Sequence, residues 1–324
     1  MNVLSSIFGA GVWARNTLYD RGIAPARKLR GPVVSVGNLS VGGSGKTPFV
    51  LMLGELLKSQ QVPFDILSRG YGRKSRVVVS VDPAGSSRDF GDEPLLLARR
   101  LGVPVIVGED RHEAGVFTEN KLGPQLHLLD DGFQHRALAR DFDIVLITPE
   151  DARDYLLPTG RLREPVTSLS RADAVVLTSG ASPESFHLRG QLVWRVRRGL
   201  LLANVPTRPI VFCGIARPQN FLLQLRTAGV EPVAQALYRD HHAYNERDIQ
   251  DLLKLRQQSD AESFVTTEKD AINLGGYLDA LRPLTVIPVK MELVDAANAV
   301  DTMLRRISER RAGREKIGAS ASST

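Results

Sequence analysis

Short apolar runs alternate with segments of helical periodicity over the first 180 residues. The apolar runs predict buried strands, at 33–37, 64–68, 77–81, 103–108, 126–130, 143–148 and 174–179. Helical patterns lie between them, at 48–59 and 93–102. Strands that alternate with helices are typical of an α/β fold built on a mostly parallel sheet. We therefore predict an α/β core over residues 31–205.

The pattern changes near residues 185–205 and then repeats on a smaller scale. Further strand and helix patterns predict a second, smaller α/β lobe over residues 206–308. The last residues, 309–324, are basic and then small and polar, which predicts a disordered tail.

The first 30 residues form a segment of their own, an N-terminal helix followed by a basic linker. An apolar stripe recurs at helical spacing, formed by Val3, Leu4, Ile7, Phe8, Gly11, Ala14 and Leu18. Interface-favouring aromatic residues and arginines accompany this stripe, namely Trp13, Tyr19, Arg15, Arg21, Arg27 and Arg30. An amphipathic helix lying on an anionic membrane has this composition. A terminal helix packed on its own domain would have it too, and both interpretations stay open.

Composition narrows the classes of partner. The chain has 324 residues, a net charge of +6 and one cysteine, Cys213. A single cysteine excludes an internal disulfide framework and favours a reducing compartment. The positive charge permits an anionic partner, such as nucleic acid, phospholipid or a phosphorylated substrate. No apolar run approaches the 18 residues or so of a membrane span, and the N-terminus lacks the features of a signal peptide.

A glycine-rich loop follows the first predicted strand, with the sequence "SVGGSGKT" at 40–47. Its end matches a phosphate-binding P-loop, although Ser40 stands where the usual pattern has glycine. Glycines let the backbone N–H groups approach phosphates at the start of a helix, and Lys46 and Thr47 supply a charge and a hydroxyl for Mg²⁺. The predicted nucleotide-binding residues are Ser40, Val41, Gly42, Gly43, Ser44, Gly45, Lys46 and Thr47.

Paired acidic residues lie where other strands end or helices begin. Asp130 and Asp131 follow the apolar run "LHLL", where a nucleotide-bound Mg²⁺ needs a carboxylate. Asp92 and Glu93 precede Pro94, and this pair predicts either a helix cap or active-site carboxylates.

Two adjacent histidines, His241 and His242, lie in "DHHAYN". Neighbours on an extended chain point to opposite sides, and no cysteine or third histidine lies near, which argues against zinc. A base or a charge-orienting role for one histidine is favoured.

Basic loops complete the candidate chemistry. "SRGYGR" carries Arg69 and Arg73, and "PTGRLREP" carries Arg161, Arg163 and Glu164. Either loop suits an anionic group held by two hydrogen bonds, although any single arginine is also compatible with a solvated surface.

In this order, the motifs "GNLSVGGSGKTP", "SRGYGR", "GDEP", "DDGFQH", "LREP", "DHH.Y" and "TEKD" resemble those of the tetraacyldisaccharide 4'-kinase family of Gram-negative bacteria. The likeness spans about residues 10–290. It implies a P-loop core, a smaller lobe and transfer of the ATP γ-phosphate to the 4'-hydroxyl of a tetraacylated glucosamine disaccharide 1-phosphate in lipid A synthesis. It also implies a peripheral enzyme on the cytoplasmic face of the inner membrane.

Site roles are implied by the same resemblance, motif by motif. Asp92 resembles the catalytic base and His241 its partner, while Lys46 and Thr47 take the P-loop roles and Asp130 and Asp131 the metal motif. ATP and Mg²⁺ are the expected cofactors, and neither a nucleic acid nor an obligate protein partner is expected. The segments tied to the active site or the lipid contain Asp20, Arg69, Glu93, His135, Arg163 and Glu164.

Three other classes of protein fit the motifs less well. A regulatory P-loop ATPase of the partition or metal-insertion type often has a lysine early in the loop, where this chain has Ser40 and Val41. A GTPase needs [NT]-K-x-D, and "TEKD" places Lys269 and Asp270 side by side. A peripheral membrane protein with a vestigial loop would neither hydrolyse ATP nor transfer phosphate.

Overall fold

The computed structural model describes residues 3–202 and 207–321. The helices are α1 (Val3–Asp20), α2 (Lys46–Ser59), α3 (Ser87–Phe90), α4 (Asp92–Leu101), α5 (Arg111–Leu122), α6 (Pro218–Thr227), α7 (Glu246–Gln258), α8 (Glu268–Leu274) and α9 (Ala296–Ala321). The strands are β1 (Val33–Asn38), β2 (Phe64–Ser68), β3 (Val79–Ser80), β4 (Val105–Val107), β5 (Leu126–Asp130), β6 (Phe142–Ile147), β7 (Ala174–Leu177), β8 (Leu192–Leu200), β9 (Pro209–Cys213), β10 (Ala234–Leu237), β11 (Ser263–Thr267), β12 (Leu284–Ile287) and β13 (Val289–Leu293).

A nine-stranded sheet forms the core, in the order β13-β8-β7-β6-β1-β5-β2-β4-β3. Its pairs are parallel except at the two edges, where β13 runs antiparallel to β8 and β3 antiparallel to β4. The predicted α/β fold with a mostly parallel sheet is therefore confirmed. Strand order reverses at β1, and α/β proteins bind their ligands beyond the carboxyl ends of the strands at such a point.

Both faces of this sheet are covered, which explains why its strands read as continuous apolar runs. Val34 and Val36 of β1 pack in the cluster that contains Phe49 and Leu53 of α2. Val33, the neighbour of Val34, belongs to a cluster on the other side, because successive side chains of a strand alternate between faces.

The smaller lobe is a four-stranded parallel sheet in the order β10-β9-β11-β12. The predicted end of this lobe at residue 308 is wrong. After β12 the chain returns to the core, where β13 pairs with β8 in the large sheet and Val300, Met303 and Ile307 of α9 join the main apolar cluster. The start predicted at residue 206 lies outside the described residues.

The disordered tail predicted for residues 309–324 is also corrected, because α9 continues to Ala321. Arginines hold this part of the helix against carboxylates of the core. Arg314 donates to Asp141 at 2.8 Å, and Arg310 donates to Asp173 at 2.6 Å. These partners are more than a hundred residues away in sequence, so the local composition gave no sign of them. Residues 322–324 are not among those described.

The N-terminal helix α1 packs on the core by polar contacts and leaves its apolar stripe uncovered. Ser5 donates to the carbonyl of Leu156 at 3.0 Å, and Asn16 donates to Glu164 at 2.9 Å. On the outer side Ile7 is 65% exposed and Trp13 is 69% exposed. Among the residues that the structure describes, no helix is long and apolar enough to cross a bilayer.

Candidate active site

A cleft of about 480 Å³ lies between the carboxyl ends of the core strands and the smaller lobe. Pockets for nucleotide-sized ligands commonly have about 300–1,000 Å³. The P-loop and the start of α4 line one side. Residues 215–217, His241 and the start of α8 line the other side, so the site is assembled from both lobes.

The P-loop turns directly into α2. Gly45 caps this helix with φ of 86°, a left-handed conformation that favours glycine. A Cβ on Gly43 would lie 2.7 Å from Arg217 of the smaller lobe, so the loop needs glycine for this close approach as well. The first N–H groups of a helix have no partner within it and can bind an anion. Of the predicted nucleotide-binding residues, 41–47 line the cleft, whereas Ser40 is fully buried behind the loop, in a bridge with Leu162.

Lys46 is held by an amide and a carboxylate below the loop. Its Nζ donates to Asn38 Oδ1 at 3.0 Å and lies 3.4 Å from Asp131 Oδ1. Arg163 binds the Asp131 carboxylate with two hydrogen bonds, at 2.8 and 3.0 Å, and also donates to Asn38. The predicted residues Lys46, Asp131 and Arg163 are thus brought together by Asn38, which the sequence analysis had not selected.

Asp130 and Asp131 have different environments. Burial opposes ionisation of Asp131, but Lys46 and Arg163 outweigh it and hold the pKa of this carboxyl well below its usual range. Asp130 is buried and accepts from Ser68 at 3.1 Å, and its Oδ1 has no hydrogen-bond partner among the described residues. Burial, together with the charges of Glu93 and Asp131, raises the pKa of Asp130. A buried carboxylate oxygen without a partner is a suitable ligand for a hard cation.

Mg²⁺ is compatible with these residues. Asp130 supplies the free oxygen, and Thr47 lines the same cleft. Within residues 3–202 and 207–321, no three His, Cys, Asp or Glu side chains come together as a metal cage. Mg²⁺ commonly takes only one or two carboxylates, completing its shell with water and substrate phosphates.

Asp92 and His241 meet across the cleft. Asp92 begins α4 and is 5% exposed, and its two oxygens lie 3.0 and 2.9 Å from His241 Nδ1. His241 has φ of 58°, a left-handed conformation that is uncommon outside glycine and recurs at active sites. The adjacent His242 turns to another partner, Asp248, at 2.9 Å.

The charges of this pair affect each other. Burial works against ionisation of Asp92, but the hydrogen bond from His241 and the charge of Lys269 leave its pKa lowered. For His241, burial is the largest influence and lowers the pKa, and Lys269 lowers it further, but the hydrogen bond to Asp92 and the charges of Asp92 and Asp240 together leave the pKa raised. Asp92 is therefore an ionised carboxylate at neutral pH.

The other predicted substrate residues separate into two groups. Arg69 and Glu93 line the cleft, together with Arg163. Asp20, His135 and Glu164 do not line it. Asp20 is 2.7 Å from Arg136 at the end of α1, and the pKa of His135 is lowered to about 4 by burial and by Arg111.

Glu164 anchors α1 to the core. It is fully buried and accepts from Arg15, Asn16 and Arg171 at 2.9, 2.9 and 2.7 Å. These bonds occupy both of its oxygens, so its position is that of a structural ion pair. Arg163, the preceding residue, points to the P-loop network, and one short segment thus serves both the helix and the nucleotide site.

Three residues that contact the cleft side chains, Asn38, Lys269 and Asn273, were not predicted from the sequence. Asn38 ends a buried strand, and a polar residue at a strand's carboxyl end was an available signal. Lys269 and Asn273 lie on α8, in and after "TEKD", a motif that carried the family resemblance but to which no site role was assigned. Lys269 lies 3.1 Å from His241 Nε2, and Asn273 donates to Asp92 at 3.1 Å.

Comparison with known proteins gives one consistent result. The family described as tetraacyldisaccharide-1-P 4'-kinase matches residues 1–308. A tetraacyldisaccharide 4'-kinase of Koribacter versatilis is 51% identical over 323 residues, covering 97% of this chain and 100% of the relative. One of Aquifex aeolicus is 40% identical over 280 residues, covering 81% and 85% of the two chains.

A solved structure is also similar. The crystal structure of LpxK from Aquifex aeolicus in complex with ATP aligns with a TM-score of 0.77 and 36% identity, over 94% of this chain and 97% of that one. This chain belongs to the tetraacyldisaccharide 4'-kinase family. It is a kinase of lipid A biosynthesis, and the predicted family, enzyme class and nucleotide-dependent function are confirmed.

Proposed function

We propose that this member of the tetraacyldisaccharide 4'-kinase family carries out its reaction in the interlobe cleft, with Asp92 as the base that accepts the proton of the sugar 4'-hydroxyl. One observation carries the proposal. The ionised Asp92, bound to His241, lines the same cleft as Lys46 and the P-loop. An acceptor hydroxyl beside Asp92 and a triphosphate on the loop can therefore meet.

The P-loop side holds the phosphates of ATP. Backbone N–H groups at the start of α2 receive the phosphate oxygens, and Lys46 turns from Asn38 and Asp131 to neutralise their charge. Mg²⁺, when bound by Asp130 and Thr47, supplies further charge neutralisation on the phosphates. Arg163 keeps Asp131 ionised and in place beneath Lys46.

The acceptor side completes the transfer. The 4'-oxygen attacks the γ-phosphorus, its proton passes to Asp92, and the bond from that phosphorus to the bridging oxygen of ADP breaks. A sugar hydroxyl is a weak nucleophile, so a carboxylate in reach of its proton is needed as the new bond forms. Arg69, exposed at the cleft, is suited to an anionic group of the acceptor.

The adenine ring of ATP suits the apolar end of the cleft. This end is lined by Ile215, Phe221, Ile287 and Leu51. Gln224 also lines the cleft, and its buried Oε1 has no hydrogen-bond partner within residues 3–202 and 207–321. An amide acceptor beside apolar walls matches an adenine, whose amino group donates and whose ring packs flat.

Helix α1 is proposed to bring the enzyme to the cytoplasmic surface of the inner membrane, where an acylated substrate lies. Its uncovered apolar residues are Val3, Leu4, Ile7, Trp13 and Leu18. The opposite side is fixed to the core by Ser5, Val12 and Asn16. A helix anchored on one side and apolar on the other is suited to lie in a lipid interface.

The catalytic proposal is tested with labelled ATP and an acylated disaccharide 1-phosphate. We expect Asp92→Asn to lower kcat by about 10²- to 10⁴-fold, because the base is lost, with ATP affinity nearly unchanged. His242→Gln is the matched control, since that neighbour binds Asp248 instead. Near-normal kcat in Asp92→Asn would refute the base assignment, and ATP hydrolysis without a labelled bis-phosphate lipid would favour a regulatory ATPase.

The membrane proposal is tested by flotation with vesicles of phosphatidylethanolamine and phosphatidylglycerol. Ile7→Ser with Trp13→Ser should abolish co-flotation, because both side chains are exposed and make the apolar contact. Leu223→Ser is the control, since Leu223 is 62% exposed on α6. Equal flotation of the two variants contradicts a role for α1.

A further inference from the structure

Besides the backbone N–H of Glu93 on its own helix, the carboxylate of Asp92 faces side-chain donors from the smaller lobe. His241 Nδ1 lies 2.9 Å from Oδ2, Asn273 donates to the same oxygen at 3.1 Å, and Lys269 Nζ lies 3.8 Å away. Asp92 itself begins α4 of the core. The carboxylate of the base is thus oriented by residues on α8 and on the loop that carries His241.

Lys269 is the inner charge of this group. Its side chain is 17% exposed, and its Nζ lies 3.3 Å from Glu93, 3.4 Å from Asp240 and 3.1 Å from His241 Nε2. Burial lowers the pKa of Lys269, but the carboxylates of Glu93, Asp92 and Asp240 raise it by more. Lys269 is therefore an ammonium and has a proton to donate to the imidazole.

An imidazole nitrogen that accepts a hydrogen bond carries no proton. Two N–H groups cannot face each other at the 3.1 Å that separates Lys269 from His241 Nε2. Lysine has the higher ordinary pKa by about four units, so it keeps the shared proton. His241 is then neutral, with its proton on Nδ1 and donated to Asp92.

The carboxylates of Asp92 and Asp240 favour the imidazolium and leave the pKa of His241 raised. The neutral assignment rests on the geometry at Nε2, where the ammonium of Lys269 is nearer than the carboxylate of Asp240. Asp240 Oδ2 lies 3.7 Å from Nε2, farther than Lys269, and Tyr71 contacts the ring at a centroid distance of 5.2 Å. Glu93 is engaged by Lys269. Lys269 is therefore the group nearest to Nε2 among the described residues that face it.

We propose that Lys269 and Asn273 are positioning residues of the phosphoryl transfer: Lys269 keeps His241 neutral and Nδ1-protonated, and Asn273 fixes the Asp92 carboxylate. The inference rests on the proposed function, in which Asp92 is the base. An imidazolium beside Asp92 would weaken its affinity for the substrate proton, because a full positive charge stabilises the carboxylate more than a neutral donor does. The smaller lobe thereby keeps the base of the other lobe active.

Lys269→Met is the decisive variant. Without the ammonium, His241 becomes protonated at higher pH, so the acid limb of the kcat profile moves to higher pH. We expect kcat at pH 7 to fall by about 10- to 100-fold, with KM for ATP little changed. This loss is smaller than the full rate contribution of a general base, because Asp92 itself is still present. Lys269→Arg keeps the charge and should restore most of kcat and the position of the limb.

Asn273→Leu should lower kcat several-fold without moving the acid limb of the kcat profile, because Asn273 is a neutral donor.

Arg100→Met is the matched control for lobe docking. Arg100 pairs with Glu268 between the same two helices, α4 and α8, without touching His241. We expect a near-normal kcat and an unmoved pH profile. An Arg100→Met variant that matches Lys269→Met would assign the effect to docking of the lobes and overturn the proposal.

A direct measurement covers the case in which Lys269→Met does not fold. Imidazole ¹⁵N shifts of the six histidines in the wild-type enzyme, with His241→Gln for assignment, report protonation at each nitrogen. An unprotonated Nε2 on His241 at pH 7 is expected, and an imidazolium overturns the inference. If Asp92→Asn keeps its kcat, the proposed function fails. If Asp92→Asn is inactive but Lys269→Met keeps the normal profile, only this inference fails.

Discussion

Two histidines in this enzyme each contact an aspartate through Nδ1, but they differ in the charge of the group next to Nε2. His127 Nδ1 lies 2.9 Å from Asp65, as His241 Nδ1 lies 2.9 Å from Asp92. The far nitrogen of His127 meets the carboxylate of Glu119 at 3.2 Å, whereas that of His241 meets the ammonium of Lys269 at 3.1 Å. His127 is fully buried near the amino ends of the strands, and His241 lies in the cleft at their carboxyl ends.

The difference shows that an aspartate–histidine pair has no fixed role. Two carboxylates around His127 favour the imidazolium, and burial, which lowers its pKa, is outweighed by Asp65 and Glu119. The buried group of His127, Asp65 and Glu119 therefore stabilises the packing of strands and helices. At His241, by contrast, a carboxylate lies on one side and an ammonium on the other. In the proposed arrangement the imidazole stays neutral and orients Asp92 without placing a second positive charge beside it.

The largest expected effect is on stability, from His127→Ala. This change leaves Asp65 and Glu119 buried without the imidazolium. Breaking a buried ion pair by removing one partner costs about 3–5 kcal/mol, so urea unfolding should show a loss of that size. The kcat per folded molecule should be unchanged.

His241→Ala is the matched comparison, with the opposite expectation of a large loss of kcat and a small change in unfolding free energy. If the two variants lose stability equally, the separation of a structural and a catalytic histidine is wrong.

The next effect is the pH dependence of that stability. The folded-state pKa of His127 is raised, so its contribution is complete below the ordinary histidine pKa of about 6.5 and is lost as pH rises through the folded value. Glu119, whose pKa is lowered, contributes above its ordinary value and loses that contribution as pH falls through the folded one. Urea unfolding from pH 5 to 9 should therefore show the difference between wild type and His127→Gln shrinking toward high pH. The slope for one proton is at most about 1.4 kcal/mol per pH unit. A difference that grows with pH would contradict the imidazolium at His127.

The two sites also differ in how far the sequence predicts them. Local patterns were sufficient to predict the strands, the P-loop and the carboxylates that end or follow β5, because each of these features depends on residues that are neighbours in sequence. His127 lies inside the strand pattern "LHLLD", and its partner Asp65 is 62 residues away, so nothing local marked it.

Contacts between distant segments account for the remaining misses. Lys269 and Asn273 meet Asp92 from 177 and 181 residues away, and no local period records such a pairing. The return of β13 to the large sheet and the helical course of α9 beyond residue 308 follow from β8 and from Asp141, which are likewise remote. Only the resemblance of whole motifs had joined Asp92 to His241.

The smallest expected effect concerns the outer cation of the His127 site, Arg30. It lies 3.2 Å from Glu119, but its side chain is 62% exposed, in contrast to Lys269 at 17%. Water and salt screen an exposed pair, so Arg30→Ala should cost about 0–1 kcal/mol in urea unfolding, and less at high salt. Arg305→Ala is the control, because it breaks a pair with Glu309 in which the arginine is 64% exposed. A loss of several kcal/mol for Arg30→Ala alone would mean that the outer cation is an integral part of the buried group, as Lys269 is proposed to be at His241.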